Sequence, residues 1–431
     1  MNKPTLAVIG SGIAGLSAAW LLKDKYQVTL FEKHDQPGMG AYAVDVGDEH
    51  ASVNIDIPLR IITSGYYREL YQLYNTVGVA IERTDHAGAF FKDSGEQVFH
   101  YKNYHFGNKS YSFLNSPNRF TRTNISHGYE ATEFLWRLSR FVIADIEQLT
   151  FGDFIRRAGY QHSSFVKLVL MPMLSTICTC DYDSIYQYPA HIIVDYLTCG
   201  VTKEGVWKAT YGVTDIVARL TQGYQVHTGH AIDNITESQT SSVASDHKPL
   251  NLTLDNGEQM TFDQVVIATQ PQHAAQMISG IDPITSKQLA SIPFEQSEMV
   301  VHRDQSIYPQ HWKKLSPVYY SVDPKAQRPM ATVCLNKSMP SVKDCRPVFQ
   351  TWHPTVELNP KQVLARATFE RPLVTFDTLK TLSNIKDSMA QPNNTLWYCG
   401  SYLGGGIPLL EAGVRSSLAV ANHLGVTAPW Q

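Results

Sequence analysis

Cysteine is scarce in this sequence, and the little there is follows no useful pattern. The six cysteines are Cys178, Cys180, Cys199, Cys334, Cys345 and Cys399. Cys178 and Cys180 are separated by one residue, not the two of a redox pair, and no spacing fits a zinc site or a disulfide framework. Buried, reduced thiols are the expectation. Charge is also sparse: Asp, Glu, Lys and Arg make up 17% of the chain, with a net charge of −3. That balance gives no electrostatic footing for nucleic acid. No apolar run approaches the ~18 residues of a spanning helix. The nearest, Phe165 to Cys178, contains Lys167 and Pro172. A transmembrane segment is therefore not expected, while peripheral contact with a membrane stays open. There is no GxSxG elbow, no HExxH and no phosphate loop of the GxxxxGK[ST] type. His302 and His311 stand alone, so no metal site is expected.

The first residues, Met1-Asn2-Lys3-Pro4, lead at once into an apolar run and a glycine loop. A signal peptide here would discard the most informative motif of the chain, so a cytoplasmic protein is expected. The Asn-x-Thr triplets at Asn234 and Asn251 then read as chance matches. What is present is a chain of 431 residues, 43% hydrophobic, enough for two or three domain-sized units on a prior of ~100–200 residues each.

Leu6-Ala7-Val8-Ile9 has the length and character of a buried strand. Gly10-Ser11-Gly12-Ile13-Ala14-Gly15 follows, and Leu16 to Lys23 reads as a helix whose Leu16, Ala19, Trp20 and Leu22 can face a sheet. Gln27-Val28-Thr29-Leu30-Phe31 is a second strand, ending on Glu32. Each part has a physical use. Gly10 permits a tight turn, Gly12 lets a pyrophosphate approach the helix N-terminus, and Gly15 lets helix and strand pack closely. Glu32 can accept hydrogen bonds from ribose hydroxyls and would repel a 2′-phosphate. A lone GxGxxG says little; strand, loop, helix, strand and acid in register predict a Rossmann-like dinucleotide unit. After Glu32 and Lys33 comes a second glycine-containing stretch, Gly38-Met39-Gly40-Ala41, where an NAD domain would usually continue into a helix.

On these residues the chain resembles the flavin-containing amine oxidase and phytoene desaturase superfamily. Two further segments carry the resemblance. Phe262 to Pro271 is similar to the family's D-x-V-V-x-A-T-x-P strand, and follows the strand and turn Leu252 to Gly257. Leu396 to Ser401, then Glu411 to Ala421, resembles the closing strand, turn and final helix. A looser similarity, to bacterial amine-oxidase-like proteins and the N-terminal part of plant cyclopropane fatty acid synthases, rests on five stretches. These are Ile55 to Pro58, Tyr66 to Val79, Met171 to Cys178, Tyr188-Pro189-Ala190 and Gly404 to Pro408. Met39 stands where the family's second glycine is usual, Gly40 where a basic residue often follows, Ser401 where an acid is often found, and Leu410 where the subgroup often has histidine.

The resemblance implies FAD as cofactor. It implies a set of residues around it: Gly10, Gly12, Ile13, Ala14, Gly15, Glu32, Lys33, Gly38, Met39, Gly40, Ala41, Ala231, Ala268, Thr269, Gly400, Ser401, Pro408 and Leu409. The fold class expected is α/β, with a discontinuous Rossmann-like FAD-binding domain (1–60, 205–275 and 390–431) and an inserted mixed α+β substrate domain (61–204 and 276–389). The first insertion reads as mainly helical, with helices over Tyr66 to Val77, Ala131 to Leu149 and Phe151 to Gly159. The second mixes strands, such as Glu298 to His302 and Ala331 to Leu335, with proline-rich loops.

Catalytic side chains are not legible, and Tyr402 and Arg60 are the candidates. For Arg60 a structural ion pair is the competing reading. Tyr182, Tyr186 and Tyr188 could line an apolar cavity, against the plainer alternative that they pack helices. Cys399 reads as a structural thiol inside the closing strand. Three functions remain open: oxidation or desaturation of a hydrophobic substrate, including a lipid acyl chain by family analogy; amine oxidation; and a non-redox isomerase or accessory role. The partner expected is a small, apolar molecule.

Overall fold

A computed structural model of the chain describes residues 3–38, 42–47, 53–107, 109–114, 122–141, 143–200, 204–238, 248–308, 316–323 and 325–431. Thr5–Ile9 forms the middle of a five-stranded, fully parallel sheet, in the order Gln225–Thr228, Gln27–Glu32, Thr5–Ile9, Gln264–Ile267, Leu396–Tyr398. Parallel strands are covered on both faces, which is why they read as unbroken apolar runs. Leu6, Ala7 and Val8 are fully buried, as are Val265, Val266 and Ile267.

The helix Ile13–Leu22 lies over this sheet with nine of its ten residues buried. Sequence periodicity predicts only one buried face. The other is covered by the last helix, Leu410–His423, with Ser17 Oγ 2.7 Å from Ser417 Oγ. Small residues allow this approach: a Cβ on Gly413 would lie 2.6 Å from Ile13 Cγ2. An antiparallel meander, Ile232–Glu237, Leu250–Leu254 and Gln259–Phe262, bridges two of the parallel strands.

The second body is an eight-stranded mixed sheet. Five strands come from the later insertion: Val363–Pro372, Phe294–His302, Phe349–Trp352, Met330–Cys334 and Val318–Ser321. Three come from the earlier one: Gly88–Phe91, Gln97–Phe106 and Lys109–Leu114. The two sets meet where Val318–Ser321 runs parallel to Gly88–Phe91. Side chains alternate across it. Phe90, Val318 and Tyr320 enter the core shared with the helices, and Ala89, Phe91 and Tyr319 enter a separate core on the other face.

The earlier insertion is less purely helical than expected, since 81–114 is strand and hairpin. Its long helix is Arg122–Leu138 and starts well before Ala131. Phe134 and Leu138, four apart, are buried with His127, whose Nδ1 lies 3.0 Å from the Val98 carbonyl. The Thr, Asn and Ser residues around this start hide it in the sequence. Pro172 does not break its helix. A π-helical turn over Val166–Leu170 runs straight into Met171–Cys178, so the missing proline N–H falls where the hydrogen bonding is already shifted. Among the described residues no helix is long and apolar enough to cross a membrane.

Candidate functional site

The carboxyl ends of the parallel strands open onto one long cavity of about 870 Å³, at the upper end of the ~300–1,000 Å³ usual for ligand sites. This is where open α/β sheets bind their ligands. One end is lined by Gly10, Gly12, Ile13, Ala14, Glu32, Lys33 and Ala231, with Ala268 and Thr269 across the sheet. Further along lie Gly400, Ser401, Tyr402, Pro408 and Leu409. The far part is walled by both insertions: Leu170, Met173, Ile177 and Tyr196 from one, Val318, Tyr320, Val333 and Trp352 from the other.

The glycine loop is built as its pattern demands. Gly10 has φ +101°, and a Cβ on Gly15 would sit 1.9 Å from the Gly10 carbonyl oxygen, so the loop folds back on its own helix. Gly15 therefore stands behind the cavity rather than in its wall. A Cβ on Gly12 would meet nothing within 4 Å. The open space there faces the first turn of the helix, whose N–H groups lack intrahelical partners.

Glu32 closes the loop from the side. Its Oε2 accepts the Ser11 N–H at 3.0 Å and the Ser11 hydroxyl at 2.5 Å, and its Oε1 accepts the His34 N–H at 3.0 Å. A carboxylate has about four acceptor positions, so roughly one is left for a ribose hydroxyl. Gly38 donates its N–H to Ser11 Oγ at 3.2 Å and does not line the cavity. Met39, Gly40 and Ala41 lie outside the described residues. Ala231 does line it, but its N–H and carbonyl are both engaged by Asp255, at 3.2 and 3.0 Å.

The segment Gly400 to Leu409 carries the site's other turn. A Cβ on Gly404 would fall 1.8 Å from the Ala412 carbonyl oxygen, so no side chain is tolerated there. The next residues bend over Tyr66, whose hydroxyl accepts the Ile407 N–H at 3.1 Å. Tyr402 folds back over Gly400 and is buried in the cavity wall. Its hydroxyl has no hydrogen-bond partner among the described residues, and burial raises its pKa. Cys399 is buried behind this wall, and burial pushes its thiol up to about 12.

Arg60 and Arg371 enter the deep part of the cavity. Burial lowers the Arg60 pKa, Tyr74 and then Asp56 oppose that, and Arg371 adds to it. Arginine remains charged through such shifts. Asp56 accepts the Val213 N–H at 2.9 Å, and burial raises its pKa. Arg371 Nη1 donates to the Ile177 carbonyl at 2.6 Å. Arg371 was not foreseen from the sequence. It lies in the edge strand Val363–Pro372, next to Glu370 and five residues after Arg366, where it resembles one more charge on a solvated edge.

Tyr182, Tyr186 and Tyr188 do not line the cavity. The short helix Tyr182–Gln187, capped by Asp181 accepting the Ser184 N–H at 2.7 Å, packs on the helical layer. Tyr188 is fully buried beside Cys178 and Cys180. Tyr67, Tyr101, Tyr196 and Tyr320 supply the cavity's tyrosine faces instead. His302 is a core residue: its Nδ1 accepts the Asp304 N–H at 3.2 Å and its Nε2 lies 2.8 Å from Thr351 Oγ1. His311 lies outside the described residues. Among the described residues no cluster of three or more His, Cys, Asp or Glu could hold a metal.

Residues 8–77 match the NAD(P)-binding Rossmann-like domain family. A 1-hydroxycarotenoid 3,4-desaturase from Flavobacterium sp. (strain P99-3) is 40% identical over 74 residues, 17% of this chain and 14% of that protein. The chain thus matches a small part of that relative's length. Two solved structures align along nearly the whole chain. The CLA-producing fatty acid isomerase from P. acnes has TM-score 0.66 at 12% identity, over 98% of this chain and 99% of that one. Cyclohexylamine oxidase from Brevibacterium oxydans IH-35A has TM-score 0.62 at 13% identity, over 98% of this chain and 100% of that one. These matches fit the flavin amine oxidase and desaturase superfamily that the sequence resembles, and the structural ones establish the fold.

Proposed function

We propose that the chain holds one non-covalent FAD and oxidises or desaturates an apolar substrate bearing an anionic end. The observation that carries this is one continuous cavity, which runs from the glycine loop to a largely apolar chamber containing two arginines. The residues present suit the cofactor. Gly12 leaves room for a pyrophosphate at a helix N-terminus, Glu32 retains an acceptor for ribose, and the ring would come to rest near Tyr402 and the start of the last helix. When bound, FAD supplies the hydride-accepting ring, and the protein supplies position and electrostatics. The N-terminus of Leu410–His423 favours negative charge near that ring. The wall of Leu170, Met173, Ile177, Val318 and Val333 excludes water, and Arg60 and Arg371 favour a carboxylate over an ammonium.

An amine oxidase shares this fold, and so does a fatty acid isomerase. Fold alone therefore does not choose. Of the carboxylates lining the cavity beyond the glycine loop, Asp85 already accepts the Ala87 N–H at 2.9 Å and Asn103 Nδ2 at 2.8 Å, and Glu370 accepts Gln296 Nε2 at 2.7 Å beside Arg371, which leaves both poorly placed to greet an ammonium.

The test uses purified protein reconstituted with FAD. Acid or heat should release close to one FAD per chain. Long-chain fatty acids should perturb the flavin spectrum and raise the melting temperature by mass action. Failure to reconstitute would end the cofactor reading. A flavin bleached by primary amines but indifferent to fatty acids would replace the substrate reading with amine oxidation. Fatty acid conversion without an electron acceptor would point to isomerisation.

A further inference from the structure

Twelve large hydrophobic side chains are exposed among the described residues, and eight of them fall between Tyr104 and Phe141. They are arranged, not scattered. In the hairpin Gln97–Phe106 and Lys109–Leu114, Tyr104 pairs with Tyr111, Phe106 with Lys109 and Lys102 with Phe113. Strand alternation puts all six on one face, and all six are exposed, Phe106 by 68%. Tyr104 and Phe113 meet edge to face at 5.6 Å, as do Phe106 and Tyr111 at 6.0 Å. The hairpin ends the eight-stranded sheet, and among the described residues its outer edge meets only one isolated bridge, from Lys109 to Glu204.

The helix Arg122–Leu138 packs on the hairpin's inner face, since a Cβ on Gly128 would lie 2.6 Å from Cδ1 of Leu114, the cross-strand partner of Tyr101. It exposes Ile125, Tyr129 and Trp136 at helical spacing. Arg140 lies 3.5 Å from the centre of the Trp136 ring.

Charge selects the occupant. There is no Asp or Glu from Gln97 to Leu114. Among the described residues from Gln97 to Phe141 there are five Lys or Arg against two Glu, Arg137 being paired with Glu133 at 2.6 Å, in a chain of net charge −3. A protein partner's apolar patch would leave the lysines without counter-charges. An anionic lipid surface takes both: tyrosine and phenylalanine settle at the headgroup boundary while lysines reach to phosphates. The inner face of the same hairpin carries Tyr101, which lines the cavity.

We infer that this aromatic and lysine face docks the protein peripherally on anionic phospholipid bilayers. The inference stands on surface chemistry and does not depend on the substrate reading. The test is sedimentation of the full chain with vesicles of phosphatidylcholine alone, or with phosphatidylglycerol added. The wild type should sediment with the anionic vesicles. Phe106→Ser/Phe113→Ser should lower the partition coefficient about tenfold, and Lys102→Glu/Lys109→Glu should reduce binding to the level on neutral vesicles. The side chains are exposed, so melting temperatures should not move; single Phe106→Ser serves if the double variant is unstable. A wild type that stays in the supernatant, or binding that neither variant weakens, overturns the inference. So does a dimer that Phe106→Ser/Phe113→Ser dissociates while vesicles are ignored, which would make the face a contact between copies.

Discussion

The carboxylate of Glu411 accepts the backbone N–H of Leu70 at 3.0 Å, across 341 residues of chain, and that of Glu69 at 3.1 Å. One side chain in the first turn of the last helix thus caps the first turn of Arg68–Val77. The carboxylate is buried, and burial raises its pKa, with the two N–H donors and Arg415 opposing. Glu411→Ala would orphan two N–H groups in the interior and should cost about 2–4 kcal/mol. Glu411→Gln should cost less, because one acceptor survives. Urea denaturation of the two variants measures the difference; equal, negligible losses would show that the cap does not hold the helices together.

Gly12 and Gly15 should separate binding from folding. Gly12→Ala points into open space and should leave the melting temperature nearly unchanged while FAD retention falls. Gly15→Ala drives a methyl into the Gly10 carbonyl and should destabilise by about 3 kcal/mol or more. Thermal melting and flavin content of the purified proteins read both. A Gly12→Ala protein that keeps its flavin would move the pyrophosphate elsewhere.

Glu32 has a double role, so Glu32→Ala should weaken both the loop and the cofactor. Each lost charge-assisted bond is worth roughly 1.5–3 kcal/mol. FAD affinity should fall at least tenfold and the apoprotein should melt earlier. Ser11→Ala removes two loop contacts, to Glu32 and from the Gly38 N–H, while leaving the Glu32 carboxylate in place, and should lower the melting temperature more than the affinity. Dialysis retention of flavin, set beside apoprotein melting, distinguishes the two effects.

Buried His302 makes stability fall in acid. Burial lowers its pKa from the usual 6.5 to about 4, with Asp304 opposing. Its Nδ1 accepts an N–H, so only the neutral ring fits. Between pH 6.5 and 4 the unfolded chain binds the proton and the folded chain does not. Stability should therefore drop as pH falls through that window, by at most about 1.4 kcal/mol per unit from this group. Urea midpoints at pH 7, 5.5 and 4.5 measure it, and His302→Gln should flatten the slope.

The dinucleotide unit was legible because its signals are local. Gly10, Gly12, Gly15 and Glu32 lie within one strand–helix–strand segment, and each residue type has a distinct steric or charge requirement. Tyr402 and Arg60 were placed near the cavity through motifs they adjoin. The rest depends on pairings that no local pattern records. Gly88–Phe91 finds its parallel partner some 230 residues later, so the large sheet could not be assembled from either insertion alone. Tyr188 and Tyr196 look alike in sequence, yet one is sealed among helices and the other faces the cavity. Arg371 is separated from Glu370 by one bond along the strand, and only the folded sheet tells which of them reaches Tyr67 and Ile177.

The contact between Ser17 and Ser417 has a consequence for how the chain is made and cut. The ribosome releases Ser17 400 residues ahead of Ser417, so the nascent Thr5–Ile9 and Ile13–Leu22 unit must wait for Leu410–His423 to seal it. Until then its apolar helix face is open to chaperones. Once sealed, the two helices are fastened together and the chain between them is closed into one loop. A protease nick in an exposed turn between them would then leave fragments that travel as one particle, whereas removal of Leu410–His423 would unseal Ile13–Leu22.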